Sequence, residues 1–133
     1  MKKLIFLFFA IIATSNVADA QSNSTVVTNL STERFKVIIE NDKNASIIDL
    51  RTTDEITKKG YIKGAIQLDF LAKDAEKQVD KLDKNKTYYI YCAGGGRSGD
   101  CAEYMEKNGF KRVYNLEKGI SDWLLKGFPV EKK

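Results

Sequence analysis

Histidine is absent from all 133 residues. Its absence excludes the serine–histidine–aspartate triad, the cysteine–histidine pair and every histidine-based zinc site within this chain. Cysteine occurs twice, at Cys92 and Cys101, too few to close a structural zinc site. Proline and tryptophan occur once each, and no repeat or low-complexity run appears. No excess of one charge stands out either. The 22 basic and 18 acidic residues leave a net +4, with lysines scattered singly and in pairs among acids. Without a basic stripe interleaved with aromatics, nucleic acid is not expected as a partner.

What remains is an ordinary globular mixture, 43% apolar and 30% charged, on a chain sized for one domain. Its first twenty residues stand apart. Lys2 and Lys3 precede the apolar run LIFLFFAIIA, and Ala18-Asp19-Ala20 offers a small-x-small cleavage site. Residues 1–20 therefore read as a signal peptide, 21–29 as a polar tether and 30–133 as the domain. Export to the periplasm or medium is expected, with no membrane attachment after cleavage; an uncleaved anchor is the alternative.

Along the domain, short apolar runs alternate with amphipathic ones. Ser31 is placed to cap a helix carrying Phe35, Ile38 and Ile39. Strands are expected over Ser46–Arg51, Gly64–Leu68, Lys86–Tyr91 and Arg112–Leu116. Between them, TTDEITKK reads as a short helix closed by Gly60. LAKDAEKQVDKL reads as a helix with Leu71, Ala75, Val79 and Leu82 on one side. Ser98–Asn108 reads as a helix with Cys101, Ala102 and Met105 inward, and Gly119–Lys126 as a last helix stopped by Gly127 and Pro129. The pattern predicts an α/β fold: a central, mostly parallel sheet of about five short strands between two helical layers. Ligands in such sheets bind beyond the carboxyl ends of the strands, and Cys92 follows the most apolar strand.

The stretch Cys92-Ala93-Gly94-Gly95-Gly96-Arg97-Ser98 carries the chemistry. Its small residues let the backbone curl so that successive amides face one point, and the following helix adds a positive end. Arg97 is expected to anchor the rim. A cysteine facing amides and positive charge ionises near neutral pH and acts as a nucleophile without a histidine base. A glycine-rich turn with a cysteine packed as a small hydrophobe is the plain alternative. The oxidising compartment that export implies makes a Cys92–Cys101 disulfide the first guess. However, Cys92 sits over the helix start while Cys101 points into the core, so convergence is not expected. Cys101 reads as a buried small hydrophobe, with a resolving role as the alternative.

Three motifs in order resemble those of single-domain rhodaneses, the thiosulfate sulfurtransferase family. They are IIDLRTTDEITKKGYIKGAIQL, YIYCAGGGRS and GFKRVYNLEKGISDWLLKGFPV, and together they span the domain. The resemblance implies a rhodanese-like three-layer α/β/α fold and a sulfurtransferase without a cofactor. Cys92 would take the outer sulfur of an anionic donor such as thiosulfate as a persulfide. It would pass that sulfur to a thiophilic acceptor, cyanide or a thiol, with a protein thiol as a possible partner. The amides of Ala93 to Ser98 would hold donor and persulfide, while Asp49 and Arg51 would brace the active face. A low-turnover persulfide carrier is the second reading. Related phosphatases and arsenate reductases use a Cys-x5-Arg loop, and the shorter Cys-x4-Arg spacing here disfavours that chemistry. Ala93 stands where some members have a basic residue, so the loop interior lacks charge and thiosulfate is expected to bind weakly.

Overall fold

Residues 25–133 are those described by the structure, a computed structural model. The signal peptide expected over 1–20 lies outside the described residues. Five strands and five helices alternate among the described residues. They are β1 (Val27–Leu30), α1 (Thr32–Asn41), β2 (Ser46–Asp49), α2 (Thr53–Lys59), β3 (Ile66–Gln67), α3 (Ala75–Asp80), β4 (Thr87–Tyr91), α4 (Gly96–Lys107), β5 (Arg112–Leu116) and α5 (Gly119–Leu125).

The strands form one sheet in the order β1-β5-β4-β2-β3, and every pairing is parallel. Buried strands of this kind read as unbroken apolar runs, as Tyr88–Tyr91 does. Alternate side chains feed two cores. Ile48, Ile90 and Cys92 face α3 and α4, where Val79, Ala102 and Met105 meet them. Ile47, Tyr89 and Tyr91 face α1 and α5, where Phe35, Ile120 and Trp123 meet them. The expected three layers are therefore present. No helix among the described residues is long and apolar enough to cross a membrane.

Strand order reverses between β2 and β4: β3 lies outward of β2, and β5 lies outward of β4 on the other side. The segments leaving β2 and β4 therefore part at their carboxyl ends and open a crevice, the usual ligand site of such sheets.

Several elements differ from expectation. Val27–Asn29, read as tether, is strand: Val27 pairs with Val113 and Asn29 with Asn115. Two β-branched residues suffice for an edge strand once β5 supplies the partners. The helix expected from Leu71 is only Ala75–Asp80. Asp69 accepts the Leu71 amide and closes a turn that competes with helix. Phe70 packs on the core in place of Leu71, which is 64% exposed. Gly64 has φ +85° and cannot extend β3. Finally, α4 starts at Gly96, two residues before Ser98, so Arg97 and Ser98 belong to its first turn.

Candidate active site

β4 delivers Cys92 to the crevice, and the chain then turns within three residues into α4. Cys92 is 1% exposed, and backbone donors meet its sulfur. The Gly95 amide donates to Sγ at 3.1 Å and the Ser98 amide at 3.4 Å. The Ser98 hydroxyl lies 3.4 Å from Sγ and 3.2 Å from the Gly95 carbonyl, to which it donates. A hydroxyl carries one hydrogen, so the neutral thiol donates to Oγ; once the thiol ionises, the hydroxyl can turn and donate to the sulfur.

Burial works against the thiolate, yet the Ser98 hydroxyl and the amides of Ser98, Gly95 and Gly94 outweigh it and lower the Cys92 pKa. Iodoacetamide alkylation should therefore rise with pH through a midpoint below the free-thiol value of about 8.5. A midpoint at or above that value would show that the amides do not hold the thiolate.

The turn before α5 shapes the loop from behind. The Ile120 amide donates to the Cys92 carbonyl at 2.9 Å, and the Ser121 amide to the Ala93 carbonyl at 3.0 Å. In trans peptides N–H and C=O point oppositely, so tying both carbonyls to α5 turns the Ala93 and Gly94 amides away from it. Contact here is backbone to backbone. A Cβ on Gly95, at φ +103°, would sit 2.0 Å from the Glu117 carbonyl oxygen. One on Gly119, at φ +67°, would sit 2.2 Å from the Ala93 oxygen. Gly94 and Gly96 have nothing within 4 Å of an added Cβ, so of the three loop glycines only Gly95 is sterically required. Gly119→Ala should push the loop off its geometry and cut activity about a hundredfold, the usual scale of an ångström-sized misplacement. Steady-state rates of the folded variant check this, and wild-type rates would contradict it.

Arg97 anchors the rim through a partner that the spacing did not predict. Its Nη1 and Nη2 donate to Glu55 Oε2 and Oε1 at 2.8 and 2.6 Å, across the crevice from α2. Glu55 is itself fixed by a capping box: its Oε2 accepts from the Thr52 amide and hydroxyl, both at 3.0 Å. The Arg97 hydrogen bonds lead in lowering the Glu55 pKa to about 2, against a burial effect that raises it. The pair therefore holds down to strongly acid pH and is lost only as pH falls through that value. The sequence signal was Thr-x-x-Glu, a capping box at 52–55.

Asp49 and Arg51 meet on the opposite face of the sheet from the Cys92 sulfur, both 1% exposed. Arg51 Nε and Nη2 donate to the two Asp49 oxygens at 3.0 and 2.7 Å, and Nη2 also donates to the Gly60 carbonyl at 2.7 Å. The Tyr91 hydroxyl donates to Asp49 at 2.7 Å and accepts from the Ile62 amide. Tyr91 immediately precedes Cys92, and composition alone did not mark it. The two cysteines are free. Burial leads in pushing the Cys101 thiol up to about 12, so it stays protonated beneath the loop.

The model of the Rhodanese-like domain family matches residues 31–126, most of the chain. The chain belongs to that family. A Bacillus subtilis relative named as a candidate sulfur carrier protein, YrkF, is 33% identical over 104 residues; the match covers 78% of this chain and 55% of that one. A relative named Sulfurtransferase, from Allochromatium vinosum, is 29% identical over 105 residues, covering 79% and 95% respectively. The crystal structure of a rhodanese-like domain protein from Staphylococcus aureus superposes with a TM-score of 0.67 at 33% identity, covering 80% and 98%. The rhodanese-like fold expected from the sequence is thus shown.

Proposed function

We propose that this rhodanese-like domain is a sulfurtransferase working through a persulfide on Cys92. The observation that carries the reading is a sulfur atom receiving two backbone amides at the mouth of α4, with its pKa lowered. The Cys92 thiolate attacks the sulfane sulfur of a donor. With thiosulfate, a new S–S bond forms, the donor's S–S bond breaks, and sulfite leaves with the bonding pair. The same amides that held the thiolate then hold the anionic outer sulfur of the persulfide. An acceptor nucleophile, cyanide or a thiol, takes that sulfur and returns the thiolate, so no outside oxidant or reductant is consumed. Ala93, Gly94, Gly95, Gly96 and Ser98 bind the sulfur through their backbone, Arg97 fixes the loop, and Asp49 and Arg51 support the strand ends.

The name of the Bacillus relative favours a second reading, a persulfide carrier that turns over slowly until a partner thiol arrives. The leader-like residues 1–20 support export to the periplasm or medium.

The test is to load the protein with a sulfane donor, follow Cys92 by mass spectrometry, and discharge it with cyanide. A gain of one sulfur atom on Cys92 and multiple-turnover thiocyanate release are expected. A single turnover would favour the carrier, and no sulfur on Cys92 would sink both readings.

A further inference from the structure

The loop holds anions with dipoles alone. Arg97 is the only cationic side chain from Cys92 to Ser98, and both of its terminal nitrogens are engaged by Glu55. Asp69, in the turn after β3, is a second carboxylate close enough to act on Arg97. Glu117 and Lys118, in the turn that backs the loop, are exposed and opposite in sign. The loop's one guanidinium thus stands beside two carboxylates, and Glu55 has little freedom to leave because the Thr52 amide and hydroxyl hold it. Two or three amides suit one negative charge, that of a thiolate or a persulfide. A dianion brings a second charge, with no free cation in the loop to receive it.

We propose that Glu55, by neutralising Arg97, selects the sulfur donor by charge: an organic persulfide is taken in preference to thiosulfate. The proposal rests on the sulfurtransferase reading. The Cys92 thiolate attacks the outer sulfur of RS–SH, the RS–S bond breaks, and RS⁻ leaves with its electron pair. Cys92 then carries S–SH, which releases its proton to solvent. Glu55 touches neither donor nor sulfur; it is a specificity residue acting through Arg97.

The experiment compares kcat/KM for loading Cys92 from thiosulfate and from 2-hydroxyethyl persulfide, whose body is uncharged. The wild type should favour the persulfide by about tenfold or more. Glu55→Gln keeps an oxygen for Arg97 and Thr52 but removes the charge. It should shift the donor ratio about tenfold towards thiosulfate, mainly through KM, and the shift should shrink as salt is added. Asp69→Asn, outside the clamp, should shift it the same way by about threefold. A damaged loop would slow both donors together and leave the ratio unmoved.

Equal use of the two donors by the wild type, or an unmoved ratio in both variants, would overturn the proposal and leave the sulfurtransferase reading standing. Failure of both donors to load Cys92 would remove that reading and this one with it.

Discussion

Cys92→Ser should lower sulfur transfer by about three orders of magnitude or more, the scale on which removal of a nucleophile is felt. Serine fits the same space and can accept the Gly95 and Ser98 amides that now reach Sγ at 3.1 and 3.4 Å. It fails for chemical reasons: a hydroxyl does not ionise near neutral pH, and an oxygen cannot form a persulfide. The second cysteine offers no rescue. Cys101 is 1% exposed, and burial holds its thiol protonated with a pKa of about 12. Cys101→Ala should accordingly keep most of the activity. Thiocyanate release and the intact mass of the loaded protein read both variants. Persulfide formation by Cys92→Ser would place the nucleophile elsewhere.

Asp49→Ala should destabilise the fold by about 3–5 kcal/mol, because it strands a buried charge. Arg51 would be left 1% exposed with the Gly60 carbonyl as its remaining side-chain partner. The Tyr91 hydroxyl would lose its acceptor at the same time. Such a loss is a large part of the stability of a small domain and should lower Tm by about 15 °C or more. The double change Asp49→Leu with Arg51→Met should recover most of it, since a well-packed apolar pair often equals a buried ion pair. Circular dichroism during thermal and urea unfolding decides this, and a loss under about 1 kcal/mol would show that the pair is dispensable.

Local patterns made much of this molecule legible in advance. The apolar run Tyr88–Tyr91 ending on cysteine and glycine placed a strand and a loop correctly. Ser31 caps α1 as its position suggested, its side chain accepting the Arg34 amide. What the sequence hid depends on partners far along the chain. Glu55 and Arg97 are 42 residues apart and meet only because β2 and β4 lie side by side. Gly119 looked like a helix start; its close approach to Ala93 is visible only in three dimensions. Val27 and Thr28 looked like tether because an edge strand takes its identity from its neighbour. Spacing alone puts Leu71 on a helix face, but the Asp69 carboxylate accepts its amide and closes a turn instead.

The placement of β5 between β1 and β4 bears on synthesis as well as on the site. β1 is the first strand of the described sheet, and its only partner is the last, ending at Leu116. The antiparallel bridge that closes over Gly60 waits longer still, for Glu131. A growing chain therefore cannot finish its sheet until β5 is available to pair. Until then β1 lacks its partner and β4 is paired on the β2 side alone, which leaves strand edges open to holding factors or to aggregation. The pairing of β1 with β5 is a long-range strand closure of the slow kind.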